Sequence, residues 1–112
     1  MAASSKSVLT LGVIATAAIT QGRAVTAAGA VAAGAARSVG IAETDAAIGA
    51  RVPYTALGTA LATAGAAIAV GALVEVGTAG KLITRSAGVS VGTALSAAAA
   101  DGDQIEVLLI PN

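Results

Sequence analysis

The sequence predicts an all-β protein: a small β-sandwich or β-barrel of short, glycine-bounded strands behind an extended N-terminal arm. Three observations carry the prediction. Between Gly22 and Gly102 no glycine-free stretch exceeds nine residues. Alanine alone favours helix, but a long helix here would absorb glycine penalties of about 1 kcal/mol each. Val8 to Ala15 alternates, with Val8, Thr10, Gly12 and Ile14 on one face and Leu9, Leu11, Val13 and Ala15 on the other, the period of a strand. The last third runs from small residues at Gly92 to Ala100, through the turn Asp101-Gly102-Asp103, into the β-branched stretch Ile105 to Ile110, which reads as a turn feeding a strand.

Taken in order, residues 1–7 are small and polar with one charge and form the arm, and residues 8–112 form a single β domain. After the first strand, Ile19-Thr20, Gln21-Gly22 and Arg23 to Thr26 read as strand, reversal and strand. Ala27 to Ala36 has no clear period and is a loop or a weak strand. Ser38 to Ala42 is a short strand, and Glu43-Thr44-Asp45 is polar punctuation that opens a single helical turn through Ala46 to Ile48. Arg51 to Leu57 is a strand that Pro53 restricts to an edge or a first position. Ala60 to Thr63, Ala67 to Val70, Leu73 to Val76, Lys81 to Thr84 and Val89 to Thr93 follow, each bounded by glycine.

An approximate repeat runs through this series. Ala17 to Val25 aligns with Ala66 to Val74, Ser38-Val39-Gly40 with Ser90-Val91-Gly92, and Ala47 to Val52 with Ala100 to Ile105. Chance matching is the alternative in a chain so rich in alanine and glycine. If the repeat is a duplication, two similar β-units pack face to face or close into one barrel.

Composition narrows the functions. Alanine supplies 32 of the 112 residues, Tyr54 is the one aromatic, and Val, Leu and Ile together number 29. Such a core is thin against a backbone ordering cost of roughly 1–2 kcal/mol per residue, and burial between subunits is the natural supplement. Six basic and six acidic residues are scattered singly and sum to zero, so nothing steers the chain to nucleic acid or lipid head groups. Without cysteine or histidine, thiolate metal sites, disulfides and the usual neutral-pH proton shuttle are excluded. The uncharged window Val52 to Val74 is long enough to span a bilayer as a helix, which makes a small membrane protein of the lysis-pore type the alternative function. Its Pro53, three glycines and three threonines, with seven Val, Leu or Ile, make insertion marginal, so no membrane partner is expected. Lys6 and the apolar Val8 to Ile19 imitate a secretory signal, against which the strand-like alternation argues.

Motifs with chemical associations are weak. Gly88-Val89-Ser90-Val91-Gly92 matches a nucleophile elbow but continues a strand pattern and has no histidine to serve it. Gly77 to Lys81 imitates a phosphate loop, yet Leu82 stands where a magnesium-binding hydroxyl belongs. Asp101, Asp103 and Glu106 could seed a calcium site, and Glu43 with Asp45 an acid–base pair; turn formation is the simpler role for both groups. No catalytic, cofactor or metal site is therefore expected. Tyr54 is a core residue or a contact anchor.

At Ile19 to Val25, Gly40 to Gly49, and Gly92 to Leu95 continuing through Ala99 to Val107, the chain resembles the small cement, or decoration, proteins of tailed-phage capsids. The resemblance implies a β-rich, non-enzymatic virion protein on the outer capsid surface that binds and stabilises the major capsid protein shell, often as a trimer. The expected partners are the major capsid protein and the chain itself, as a homotrimer or a dimer. The contact residues expected are Ser4, Ser5, Lys6, Ser7 and Val8 of an N-terminal segment that adds to a neighbour through main-chain hydrogen bonds, together with Tyr54.

Overall fold

A computed structural model describes residues 6–110. It consists of eight strands: β1 (Lys6–Ile14), β2 (Ala24–Val25), β3 (Gly40–Ala42), β4 (Arg51–Thr63), β5 (Leu73–Val76), β6 (Leu82–Thr84), β7 (Ser90–Ala94) and β8 (Gln104–Leu109), with one 3-10 turn at Thr78–Gly80. They form a single sheet in the order β2-β3-β4-β8-β7-β5-β6, with β1 also paired to β4. All strand-to-strand pairings are antiparallel. The sheet curls back on itself. A parallel bridge between Ala64 and Leu82 returns β6 to the end of β4, and Gly65 N–H donates to Leu82 O at 2.8 Å.

The approximate repeat is a structural duplication. Ala24 pairs Ile41 and Ile41 pairs Thr55 in the first half; Leu73 pairs Thr93 and Thr93 pairs Leu108 in the second. The isolated bridge Ile19↔Ala46 is matched by Ile68↔Ala98. Turn glycines correspond as well: Gly22 and Gly71 both have φ 85, and Gly49 and Gly102 have φ 89 and 95. These left-handed turns are where only glycine sits without strain, and they fix both copies to one register. β4 belongs to both units. Its first half pairs β1 and β3, and its second half pairs β8 as β1 pairs β4.

Each unit has its own core. The smaller cluster contains Ala15, Ile19, Val25, Ala42, Val52 and Tyr54. Their counterparts Ala64, Ile68, Val74, Ala94, Ile105 and Val107 all lie in the larger cluster of sixteen residues. Seven of those sixteen are alanine, so the core is made less by bulk than by close backbone approach. Gly40 shows how close: a Cβ there would stand 2.2 Å from Thr55 O, and one at its counterpart Gly92 would stand 2.3 Å from Leu108 O. The wall formed by β2 and β3 serves both cores, because strand side chains alternate in direction. Val25 and Ala42 enter the first, Ala24 and Ile41 the second.

Three local expectations are corrected. Lys6 and Ser7 belong to β1 rather than to the arm. Pro53 lies inside a thirteen-residue strand opposite Gly12. It is tolerated because its carbonyl accepts from Glu43 N–H (2.9 Å) just beyond the last β3 pairing, so the donor it lacks would have faced the end of that ladder. Residues 43–48 form no helical turn: Ala46 exchanges backbone hydrogen bonds with Ile19 at 2.8 and 2.9 Å, which an extended backbone requires. The apolar window 52–74 supplies most of β4 and the start of β5, and no helix among the described residues is long and apolar enough to cross a membrane.

Candidate functional site

Most residues with chemical associations are occupied in holding loops and strands. Ser90 sits in β7 opposite Glu75 of β5, not on a turn, and its buried Oγ has no hydrogen-bond partner among the described residues, so no base is bonded to it. Asp103 Oδ2 accepts from the backbone N–H of Ala99 (2.8 Å) and Ala100 (3.2 Å), closing the turn before β8. Asp45 Oδ1 accepts from Gln21 N–H at 2.7 Å, and Glu43 Oε2 accepts from the hydroxyls of Thr10 (2.9 Å) and Thr55 (2.8 Å). Asp45 thus holds the turn at Gln21 and Glu43 ties β1 to β4. Lys81 pairs with Asp101 at 2.9 Å. Both line a cleft of about 460 Å³ with Gly34, Glu75, Gly77 and Thr78, where they neutralise each other and Glu75 is bonded to loop amides.

Glu75 is the one buried carboxylate among the described residues. It accepts from Ser86 N–H and, at 3.3 Å, from Gly88 N–H. The Ser86 bond holds its carboxyl below the ordinary glutamate value, burial opposes this, and the Gly88 and Ala87 amides add to the lowering. Its task is to order the loop between β6 and β7.

The surface offers contact rather than chemistry. β1 is exposed along nearly its whole length. Lys6 N–H donates to Thr59 Oγ1 at 2.8 Å, and Ser7 Oγ lies 2.7 Å from Thr10 Oγ1. Val8, 78% exposed, bulges off the ladder where the register slips between Ser7↔Gly58 and Leu9↔Leu57. Gly58 has φ 99, and a Cβ there would stand 2.7 Å from Val8 N, so this glycine makes room for the bulge. Bulges at an edge re-aim side chains and discourage continuous pairing. The structure therefore gathers Lys6, Ser7 and Val8 on one exposed strand end. Ser4 and Ser5 lie outside the described residues. Tyr54 is only 8% exposed and packs in the smaller core, so it is the anchor of the first unit's interior and has little area to offer a partner.

A second apolar surface escaped the sequence reading. Leu73 and Leu108, on either side of Thr93 in one cross-strand row, are 48% and 43% exposed. Their signal was the run Val107-Leu108-Leu109: three consecutive large apolar residues break the alternation of a one-sided strand, so one of them must face outward.

Comparison with known proteins identifies the fold and the family. The N base of the head fiber gp8.5 of bacteriophage phi29 shares the fold, with a TM-score of 0.75 over 91% of this chain and 93% of that one at 18% identity. No curated protein matches. The family described as phage cement protein matches residues 3–109. The chain belongs to the phage cement protein family, a structural and non-enzymatic component of the phage capsid.

Proposed function

We propose that the protein binds the outer surface of the major capsid protein shell as a homotrimer and stabilises it, with the start of β1 as the shell contact. The observation that carries this reading is the exposed, bulged strand end at Lys6, Ser7 and Val8 in a chain of the cement family. Ser4 and Ser5, which precede it in the sequence, belong to the same proposed contact. A neighbour that serves as the base of a head fiber suits a position on the head exterior. Many copies on a symmetric shell raise occupancy beyond the affinity of one contact, so a modest apolar and main-chain contact at each site suffices. Stiffening follows when one molecule spans the joint between shell subunits.

The test is occupancy on purified expanded shells. Val8→Asp places a charge on the projecting bulge and is expected to lower occupancy at least about tenfold, the cost of a lost apolar contact plus a poorly solvated charge. Occupancy equal to that of the parent protein, with folding unchanged by circular dichroism, would overturn the placement of the contact.

A further inference from the structure

The duplication makes a prediction about the second apolar surface. In the first unit the cross-strand row Ala24, Ile41, Thr55 is buried, with Ala24 at 0%, because the second unit covers it. That cover is specific. Gly22 O accepts from Thr63 N–H (2.9 Å), Ala35 N–H donates to Val76 O (2.7 Å), and Arg23 Nη1 donates to Ala79 O (3.0 Å). The equivalent row of the second unit is Leu73, Thr93, Leu108, and no described residue buries its two leucines. Directly paired residues share a face, so the three form one uncharged strip, larger in side chain than the row it duplicates.

The complementary surface is also uncovered. In the second unit, Ala60 and Thr63 receive the first unit's wall and turn. Their counterparts in the first unit are Leu11 and Ile14, 44% and 46% exposed, beside the exposed Ala27 and Ala28. One chain thus carries both halves of the contact it already makes internally, one at each end.

We propose that the wall Leu73, Thr93, Leu108 of one copy seats on the Leu11 face of β1 in a second copy, next to the Ile14 end of that strand, repeating the contact between the units in a head-to-tail manner. Continuity with the internal interface selects a second copy of this chain as the occupant. This deepens the homotrimer reading by naming the two surfaces. A head-to-tail contact closes into a ring if its rotation permits, and a ring of three would set six equivalent units around one axis.

The experiment is native mass measurement of three full-length proteins. The parent chain is expected to self-associate. Leu108→Lys and Leu11→Lys, each altering one exposed position, are each expected to weaken association by at least about 100-fold, as for central apolar contacts, and to run as folded monomers with the parent's circular dichroism. Mixed in equal amounts they are expected to form a 1:1 dimer and stop there, because one intact wall meets one intact seat and both remaining faces are altered. Should either lysine variant fail to fold, Leu108→Thr and Leu11→Thr replace them, threonine being favoured in strands. A monomeric parent chain, a variant that associates like the parent, or a mixture that stays monomeric would each overturn the proposal. A Leu108→Lys protein that keeps its oligomer but loses shell occupancy would instead make the wall a shell contact. Val8→Asp is expected to associate normally, so failure of the self-contact and failure of the shell contact give different results.

Discussion

The two β-units share turns, ladders and core positions, yet their outer walls have opposite fates. Ile41 and Thr93 occupy equivalent places; Ile41 is 1% exposed inside the larger core, while Thr93 is only half-buried at the surface. The difference teaches that residue choice at duplicated positions follows what covers the wall, not the strand itself. Where the covering is internal, the row is Ala24, Ile41, Thr55, small enough at its ends to admit backbone. Where the chain leaves the wall open, leucines stand at both ends. The cores diverge in the same way. Tyr54 fills the first unit, which encloses six clustered residues, while its counterpart Val107 sits in a cluster of sixteen that the neighbouring wall helps to line.

The sharpest way to break this comparison is to truncate both equivalent residues. Ile41→Ala is expected to destabilise by about 2–5 kcal/mol, from lost burial and the cavity left behind. Thr93→Ala is expected to stay within about 0.5 kcal/mol in the isolated chain, as for other surface substitutions. Denaturant titration of the two variants reads the difference, and equal losses would mean that the walls are covered alike. The turn glycines sharpen it further. Gly71→Ala adds a side chain in open space at φ 85 and is expected to cost about 1–2 kcal/mol of left-handed strain. Gly22→Ala has the same φ but brings its Cβ to 2.8 Å from Thr63 Oγ1, where the units meet, so its midpoint is expected to fall further than that of Gly71→Ala.

The smallest effect is local and belongs to one unit alone. Glu75 has Thr26 as its counterpart, so its loop has no equivalent in the first unit. A carboxylate held below its ordinary value contributes stability that is complete above the unfolded-state value, 4.5, and fades as pH falls through the lower folded one. Hydrogen exchange at Ser86 and Gly88 is therefore expected to quicken relative to the rest of the sheet as pH drops below that range. Glu75→Gln is expected to remove the acid dependence and leave the loop loosened at neutral pH. An acid response that survives the substitution would assign it to another group.

Much of this was legible in the sequence because glycine punctuates it. Leu73–Val76 matches its strand to the residue, Lys81 to Thr84 and Val89 to Thr93 fall within one residue at each end of β6 and β7, and the Gly22, Gly49, Gly71 and Gly102 turns are where the repeat placed them. One failure came where one strand carried two roles. Arg51 to Leu57 and Ala60 to Thr63 read as separate strands because Gly58 lies between them, but Gly58 accommodates a bulge opposite Val8 and the strand runs through it. Pro53 misled for a related reason, since a missing donor matters only where a ladder continues. The start of β1, proposed above as a contact segment, is exposed as its polarity suggests. The Leu73–Leu108 strip was not, since pairing between distant strands decides which face a residue shows.

The strand common to both units has a mechanical meaning. Eight cross-strand pairs, from Lys6↔Thr59 to Ile14↔Arg51, tie β1 alongside β4, and six more tie β4 to β8. A tug along β1 is resisted by its ladder bonds together rather than one after another, and the covalent backbone of β4 relays the load across the molecule. On the proposed reading, a load passed between shell subunits would meet a strap that holds under shear.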